Sequence, residues 1–505
     1  MKSDRRPPAL VFLLLAAVTT SLAVRAWLAP PRGRVFVGTF YYVGDFYNYL
    51  ASVEQAQRGA LLFRSKLAAP ALPASLLNLE WLAVGWLSAL LGGRPLLAYR
   101  LVGLAALLVL VALASRWLAR CGVPTGRRTA ALLLVFTGGG LGGALVALGV
   151  LPGERAWDVR TGAFPFVEAM ANPHFVVGTA LLAAALAAGA AGRPRLAALL
   201  GVVLGLVRPY DAALLLAVEL FAIVLMRPRR EWPSRLLPLL ALLPVLTYSA
   251  WVFLASSGFR VFSSPAYAAL SPSPVDLAIA LGPALTLALA AWPAWRDGTA
   301  EVREHLGRLA LWALAALAVV VLRPASFALQ VIVGVGLPLL AIAAVGLARR
   351  GRLLEAAIVP MAGTAVFVGS LCGPPSPPGT TPEERWLVAR ALRDVCRPGD
   401  LVVSPADVGL FAGGLAPCWP YLSHPAAADY GEHEAAVRAF YDPRTSSEAR
   451  ARWLDARCPA HVVVPTPLPA GWLGDAYEPR LAVRGETGAL AVWSRVAGRP
   501  CSSGG

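Results

Sequence analysis

The residues whose types and spacing best suit chemistry are acids and arginines that flank apolar segments. The first acid, Asp45, lies in the stretch GDFYNYLASVEQAQRG at residues 44–59. Apolar side chains recur there at i, i+3, i+4 and i+7, namely Phe46, Tyr49, Leu50 and Val53. This spacing predicts a short amphipathic helix with Asp45 as its N-cap and Gly59 at its end. Capping alone would explain the acid; otherwise its carboxylate deprotonates a hydroxyl group or binds a metal ion.

A second polar stretch, GERAWDVRTGAFPFVEAMANPHF at residues 153–175, carries more acids and a histidine. Glu154 and Asp158 are typical of solvated loop charge. Glu168 and His174 lie at the mouth of an apolar segment, where an ionisable group is costly. The chemical hypothesis is that Glu168 assists Asp45 in catalysis, and that Asp158 joins Asp45 in holding a divalent metal such as Mg²⁺ or Mn²⁺.

Arginines predicted at the outer mouths of apolar segments form a third group, against the usual cytoplasmic bias of basic residues. A guanidinium group matches the geometry of phosphate. The candidate set for binding a phosphate group is His174, Arg208, Tyr210, Asp211, Arg260 and Arg323. Two alternatives remain: Arg260 and Arg323 reach lipid headgroups, and Arg208 pairs with Asp211.

The elements that must hold these residues are membrane-spanning helices. The chain has 505 residues, of which 57% are hydrophobic and 15% charged, whereas soluble domains carry about 25% charged residues. The formal net charge of +16 comes from arginines in short loops between apolar segments. Because aromatic residues are not interleaved with them, these loops indicate membrane topology and not nucleic-acid binding.

Apolar runs of about 20 residues are needed to cross a bilayer. The sequence predicts eleven spans, at 9–29, 96–118, 129–151, 174–191, 195–208, 211–226, 237–256, 275–295, 308–323, 326–348 and 353–372. The first is expected to be a signal anchor in the plasma (inner) membrane. With the arginine-rich loops inside, the N-terminus is cytoplasmic and the C-terminus extracytoplasmic. Residues 75–91 would invert later loops if they crossed, so we predict a juxtamembrane helix within a first outward loop, 30–95.

A Pro-rich linker, 374–382, separates the membrane module, 1–373, from a soluble segment, 383–505. Predicted helices at 383–395 and 437–456 alternate with strands at 400–404, 461–465, 481–483 and 489–494. This pattern indicates a small extracytoplasmic α/β domain. Two of its histidines, His424 and His433, are expected to be structural or surface groups.

Other motifs add little. The sequence shows no Ser-His-Asp arrangement, P-loop or dinucleotide-binding motif. The GGGLGG run at 138–143 is expected to serve close helix packing. Of the six cysteines, five are predicted near or beyond the outer face, where a disulfide and an unpaired buried pair fit equally well.

The order of these features resembles the GT-C superfamily of membrane glycosyltransferases, which use polyprenyl-phosphate sugars and include protein O-mannosyltransferases and aminoarabinose transferases. Further stretches look like uncharacterised bacterial members: MANPHF at 170–175, GLVRPYD at 205–211, SSPAYAALSPSP at 263–274, RPASFALQVIVGVGLPLLAI at 323–342, and VVSPADVGLFAGG with YLSHPAAADYGEHEAAVRAFYD in the soluble segment. The resemblance implies that Asp45 activates the acceptor or binds metal. Many members carry a second acid beside it, where this chain has Phe46. Arg323 lies where some relatives carry a donor-phosphate ligand.

The resemblance also implies a reaction on the extracytoplasmic side. A polyprenyl-phosphate-linked sugar would be the donor and a glycan, lipid or protein the acceptor, with membrane lipid around the protein and no nucleic acid. Asp45 would take the acceptor proton, and the anomeric carbon would be attacked with inversion. The competing hypotheses are a transporter or glycolipid flippase without transferase activity, although no repeat symmetry is seen, and an inactive scaffold whose soluble domain binds a partner.

Overall fold

Most of the chain folds into α-helices. The computed structural model describes residues 6–67, 73–160, 162–226, 232–256, 259, 272–323, 328–351, 353–371, 379–425, 427, 429–466, 468, 470–486 and 488–497. Its helices are α1 (Arg6–Leu28), α2 (Val43–Gln57), α3 (Leu79–Leu90), α4 (Pro95–Arg120), α5 (Thr125–Thr137), α6 (Gly142–Ala147), α7 (Trp157–Arg160), α8 (Pro165–Ala171), α9 (Pro173–Ala190), α10 (Pro194–Gly205), α11 (Pro209–Met226), α12 (Trp232–Ala255), α13 (Pro274–Leu289), α14 (Trp292–Arg296), α15 (Ala300–Leu322), α16 (Gly336–Arg350), α17 (Leu353–Ser370), α18 (Glu383–Val395), α19 (Ala406–Leu415), α20 (Tyr430–Tyr441) and α21 (Ser447–Arg457).

Several of these helices have the length and composition of membrane spans. Within the described ranges, seven helical segments are long and apolar enough to cross a bilayer, and shorter apolar helices accompany them. The chain is therefore a polytopic α-helical membrane protein, as the sequence predicts. Which loops face the cytoplasm stays a prediction.

Contacts divide the chain into two compact units. The first comprises residues 1–24, 99–251 and 262–374, and the second comprises residues 25–98, 252–261 and 375–505. The predicted first outward loop thus belongs to the same compact unit as the C-terminal segment.

The first unit is organised around α16. Almost every residue of α16 from Gly336 to Ala348 is buried, which is the environment that a helix with apolar residues on every face requires. The helix contacts α5, α13, α15 and α17. A 3₁₀ turn, Ala328–Ile332, precedes it, so the predicted span 326–348 is not one continuous α-helix.

The predicted span 129–151 is also broken. Helix α5 ends at Thr137, and Gly138 has extended backbone angles, φ −68° and ψ 149°. At Gly140 an added Cβ would lie 2.2 Å from the Ala280 carbonyl oxygen. The glycines therefore serve close packing, as expected, but they do so by interrupting the helix.

In the second unit, the two helices α2 and α3 of the first outward loop pack against each other, and α2 also packs on α19. Helix α3 covers most of the apolar stretch 75–91. Its 12 residues rise about 18 Å, which is short of a hydrocarbon core about 30 Å thick. This length favours the predicted juxtamembrane placement.

The C-terminal part of the second unit contains a five-stranded mixed sheet. A separate antiparallel pair joins β1 (Arg34–Phe36) to β2 (Thr380–Pro382). The sheet strands are β3 (Leu401–Val403), β4 (Trp419–Pro420), β5 (His461–Pro465), β6 (Tyr477–Arg484) and β7 (Ala489–Arg495), in the order β4-β3-β5-β7-β6. Strand β3 runs parallel to both neighbours, whereas β7 is antiparallel to β5 and β6.

This small α/β fold is the predicted one, with two differences. The predicted helix 437–456 is two helices, α20 and α21, separated at Asp442 and Pro443. Helix α19 and strand β4 were not predicted. Cys396 and Cys418 are free and buried, whereas Cys458 is disulfide-bonded. Most of the Pro-rich linker lies outside the described residues.

Candidate functional site

Asp45 lies in the first turn of α2 and does not cap it. The N-cap is Tyr42, which makes no side-chain capping hydrogen bond. The predicted capping role of Asp45 is therefore wrong, because the helix begins at Val43 and Asp45 is its third residue. The predicted end is confirmed: Gly59 has a φ of +91°, and its N–H donates to the Ala56 carbonyl oxygen at 2.9 Å.

The helix begins at a strained residue. Tyr42 has φ 56° and ψ 42°, a left-handed conformation that costs a residue with a Cβ about 1–2 kcal/mol. Its carbonyl oxygen accepts from the Phe46 N–H at 2.8 Å and so closes the first helical turn. Strain of this kind persists where surrounding contacts fix the backbone, and it is common beside functional groups.

His424, which the sequence placed among the structural histidines, faces Asp45. Its Nε2 lies 3.4 Å from Asp45 Oδ1, and the side chains are 11% and 25% exposed, respectively. Gly44 makes room for the ring, because an added Cβ there would lie 2.7 Å from His424 Nε2. The carboxylate thus has an imidazole beside Oδ1 and keeps a quarter of its side-chain surface exposed.

Aromatic contacts hold α2 in place for this pairing. The Tyr47 hydroxyl donates to the Val37 carbonyl oxygen at 2.7 Å, and its ring packs edge-on against Phe411 at 4.9 Å and Trp386 at 5.9 Å. At Gly414 an added Cβ would lie 2.7 Å from Tyr47 Cδ1 and from its carbonyl oxygen. The C-terminal segment therefore fixes the helix that carries Asp45 and also supplies His424.

Four of the predicted site residues form a separate cluster in the first unit. Arg208 and Asp211, at the start of α11, form a buried ion pair with Nε 2.9 Å from Oδ2. Arg208 Nη2 also donates to the Gln330 carbonyl oxygen at 3.0 Å. Gly178 leaves space for the pair, because an added Cβ would lie 2.3 Å from Arg208 Cδ. The alternative interpretation of Arg208, that it pairs with Asp211, therefore agrees with the structure.

Glu168, on α8, is the most deeply buried acid of this cluster, with no exposed surface. Among the residues that the structure describes, neither of its carboxylate oxygens has a hydrogen-bond partner. Burial raises the pKa of Glu168 to about 8, although Thr179 and Arg208 act in the opposite direction. The side chain is therefore mostly protonated at neutral pH and closed to solvent.

His174 completes the cluster from the first turn of α9 and interacts electrostatically with Asp211. The Asn172 side chain caps α9 by accepting from the His174 N–H at 3.2 Å, and the Tyr99 hydroxyl donates to Asn172 Oδ1 at 2.7 Å. Asn172 followed by Pro173 is a helix-start signal that could have been recognised in MANPHF. No local sequence pattern around Tyr99 indicates its hydrogen bond to Asn172. Tyr210 is half-buried at the start of α11.

Asp158 does not suit the predicted metal role. Its Oδ2 accepts from the Gly143 N–H at 3.2 Å, and burial raises its pKa to about 6 in spite of such backbone contacts. An added Cβ at Gly142 would lie 2.1 Å from Asp158 Oδ1. The carboxylate therefore shapes the loop after α5. In the described ranges, no group of three or more His, Cys, Asp or Glu side chains could hold a metal ion.

The two remaining predicted arginines are Arg323 and Arg260. Arg323 ends α15 in a left-handed conformation, with a φ of 50°. Its side chain is exposed, and Nη2 donates to the Pro272 carbonyl oxygen at 3.4 Å. Arg260 lies outside the described residues, as does most of the stretch 263–274.

The C-terminal sheet contains a serine, histidine and aspartate arrangement that the sequence-based search did not find. Ser494 Oγ lies 2.9 Å from His461 Nδ1, and His461 Nε2 lies 3.3 Å from Asp400 Oδ2. Strand pairing brings the first two together, since His461 and Ser494 are register partners. Both are almost fully buried, and burial lowers the pKa of His461. We interpret the three as a polar cluster that stabilises the sheet.

Comparison with solved structures identifies the fold. The mycobacterial arabinofuranosyltransferase AftD superposes with a TM-score of 0.57 at 17% identity, over 97% of this chain and 40% of AftD. ArnT from Cupriavidus metallidurans bound to undecaprenyl phosphate superposes with a TM-score of 0.56 at 14% identity, over 97% of this chain and 98% of ArnT. The apo form of that ArnT gives 0.54 at 16% identity, with 97% and 98% covered.

Neither a family model nor a curated protein matches the sequence. The chain spans less than half the length of AftD and almost all of ArnT. Because these identities are only 14–17%, the comparisons show a shared fold: the chain has the fold of AftD and of ArnT, in agreement with the fold that the resemblance in the sequence implies.

Proposed function

We propose that this protein is a membrane glycosyltransferase that moves a sugar from a polyprenyl-phosphate donor to a hydroxyl acceptor on the extracytoplasmic side, with Asp45 as the base. The carrying observation is Asp45 itself, a partly exposed carboxylate facing His424 at 3.4 Å in a chain with the GT-C fold. The undecaprenyl phosphate bound to ArnT supports a donor of this class.

Asp45 suits the base role better than Glu168. A base must be ionised and must reach the proton that it removes. Asp45 is 25% exposed, whereas Glu168 has no exposed surface and, with a pKa of about 8, is mostly protonated at neutral pH. A neutral carboxyl that is closed to water cannot take a proton from an incoming hydroxyl.

The proposed step is a single displacement. The acceptor O–H proton passes to Asp45 as the acceptor oxygen bonds to the anomeric carbon. The bond from that carbon to the phosphate oxygen breaks, and polyprenyl phosphate leaves with the bonding electrons, so the configuration inverts. Of the arginines predicted to bind a phosphate, Arg323 has an exposed side chain, whereas Arg208 is buried and engaged with Asp211. No step requires a metal ion, and Asp158 does not fit as a ligand.

His424 is proposed as a positioning residue. Its imidazole fixes one oxygen of Asp45 and leaves the other for the acceptor, in the way that a second polar group orients a catalytic base. His424→Ala should lower kcat about tenfold and alter the pH profile of kcat/KM. His424→Gln keeps a hydrogen-bond donor and should recover most of the rate. Equal losses in both variants, with an unchanged pH profile, would reduce His424 to a structural role.

The experiment uses the full-length protein in membranes or nanodiscs. Radiolabelled polyprenyl-phosphate pentoses and hexoses are offered with cell-envelope extract, and both labelled product and released polyprenyl phosphate are measured. At least one donor should be consumed by the wild type, and Asp45→Asn should consume it about 10²–10⁴ times more slowly. Asp429→Asn, an exposed acid of the same unit, is the matched control. Equal rates for Asp45→Asn and wild type would refute the proposal, as would donor translocation without transfer.

A further inference from the structure

A cavity in the second unit has features of a binding site that the proposed reaction does not use. It encloses about 910 Å³ between the C-terminal end of α2, the start of α4 and one side of α18. Four arginines line it, namely Arg58, Arg94, Arg390 and Arg393. We call it the arginine pocket.

The arginine pocket carries excess positive charge. Its two acids are Glu54 and Asp394, and Glu54 is already engaged, because it pairs with Arg58 and lies 3.2 Å from the buried Lys66 Nζ. The guanidinium groups of Arg94, Arg390 and Arg393 belong to exposed residues. Several guanidinium groups around one cavity repel one another, and a bound anion would relieve that repulsion.

Two side chains with hydrogen-bond donors lie beside Gly93, whose carbonyl oxygen accepts from Arg393 Nη1 at 3.5 Å. An added Cβ there would lie 3.0 Å from Arg393 Nη2 and 3.2 Å from Gln57 Nε2. The Gln57 amide is oriented by Ser88, whose hydroxyl donates to Gln57 Oε1 at 3.2 Å, so Nε2 is the end that approaches Gly93. Paired donors of this kind suit the oxygens of a phosphate group.

The other wall of the arginine pocket is apolar and lies at the ends of two membrane helices. Trp27 is in the last turn of α1 and Leu97 in the first turn of α4; both line the cavity and are 44% and 41% exposed. Helices α1 and α4 are each long and apolar enough to cross a bilayer. Tryptophan is enriched at membrane interfaces, so this wall suits the hydrocarbon chain of a lipid.

The arginines of this pocket lie toward the end of α2 that is far from Asp45. Glu54 and Arg58 lie nine and thirteen residues after Asp45 on or beside α2, which separates them from Asp45 by about 14–20 Å along the helix axis. Arg393 Nη2 and Gln57 Nε2 both approach Gly93, so Arg393 lies at the same end of α2. A phosphate bound there is therefore a different phosphate from one that leaves during attack at Asp45.

We propose that the arginine pocket binds the phosphate headgroup of an anionic lipid, with the lipid chain against Trp27 and Leu97. The shared chemistry is a phosphate on an apolar chain, which a membrane phospholipid and a prenyl phosphate both provide. The site would anchor the second unit to the outer leaflet or hold a second lipid-linked molecule. It does not depend on the proposed transferase reaction.

The test measures binding to the purified full-length protein by microscale thermophoresis and by the rise in melting temperature. The probes are dioctanoyl phosphatidic acid, geranyl phosphate, inorganic phosphate and dioctanoyl phosphatidylcholine. Wild type should bind at least one of the two anionic amphiphiles with clear preference over the last two probes. Arg390→Gln/Arg393→Gln should weaken that binding about tenfold or more. Preference between phosphatidic acid and geranyl phosphate identifies which lipid class the site takes.

Two controls make the result decisive. Arg397→Gln/Arg452→Gln removes two exposed arginines of the same unit that do not line the pocket, and it should bind as wild type does. Asp45→Asn should also bind unchanged. Equal weakening in both arginine double variants, tight binding of phosphatidylcholine, or inorganic phosphate bound as tightly as the amphiphiles would overturn the proposal. Loss of binding in Asp45→Asn would assign the lipid to the reaction site instead.

Discussion

Asp45 of the second unit and the acids of the Arg208 cluster in the first unit lie in opposite environments. In the second unit Asp45 keeps a quarter of its surface exposed and faces one histidine. In the first unit Glu168 and Asp211 are almost completely buried with Arg208. An exposed, oriented carboxylate can exchange protons with an acceptor, whereas a buried one serves packing and helix register at a cost in desolvation. The difference indicates that the presence of an acid in the sequence does not tell a partly exposed carboxylate from a buried, paired one.

The largest expected effect separates the two acids by activity. Asp45→Asn should lower the transfer rate about 10²–10⁴-fold, whereas Glu168→Gln, which substitutes a neutral side chain of similar size for a mostly neutral acid, should stay within about threefold of wild type. Both are measured as release of polyprenyl phosphate at neutral pH, at matched levels of inserted protein. A larger loss in Glu168→Gln than in Asp45→Asn would reverse the comparison and move catalysis to the buried cluster.

The second expected effect is on stability. Arg208→Met leaves Asp211 buried without its cation and should destabilise the protein by about 3–5 kcal/mol. The measurement is the melting temperature and the yield of monodisperse protein in detergent. Replacing both partners of a buried ion pair by apolar residues often changes stability little. Arg208→Met/Asp211→Leu should therefore recover most of the lost stability. If the single variant is as stable as wild type and only donor binding fails, Arg208 binds the donor after all.

A smaller effect tests the orientation of Asp45. Gly44→Ala places a methyl group 2.7 Å from His424 Nε2, so the imidazole must move. We expect about a tenfold loss of kcat, or about 1.4 kcal/mol, with an unchanged melting temperature. Gly431→Ala is the matched control, since nothing lies within 4 Å of its added Cβ. Wild-type kcat in Gly44→Ala would indicate that the contact between His424 and Asp45 is not needed.

The last expected effect is a pH dependence of stability. Burial raises the pKa of Glu168 from 4.5 to about 8. Between these values the folded protein holds a proton that the unfolded chain has released, so stability is fully present below pH 4.5 and falls as pH rises through 8. The slope contributed by this group is at most about 1.4 kcal/mol per pH unit. Melting temperatures from pH 6 to 9 should fall less steeply in Glu168→Gln; parallel curves would contradict the assignment.

Much of the fold was readable because burial requirements leave marks in local sequence. The length of the apolar runs predicted the spanning helices. Alternating stretches of helical and strand-like hydrophobic periodicity predicted the C-terminal α/β segment. The failures have local causes. The glycines at 138–140 interrupt the helix inside a stretch that still looks apolar in the sequence. Tyr42 precedes α2 in a left-handed backbone conformation that no residue propensity predicts.

The sequence by itself determined that this is a membrane protein with acids and arginines at the ends of its spans, since hydropathy, charge and helix period are properties of neighbouring residues. It also singled out Asp45 and the cluster of Glu168, His174, Arg208 and Asp211. Only the tertiary structure decided which acid meets water and which meets a guanidinium group. It brought His424 to Asp45 across almost 400 residues of chain, because contacts between distant segments depend on packing, which has no local signature.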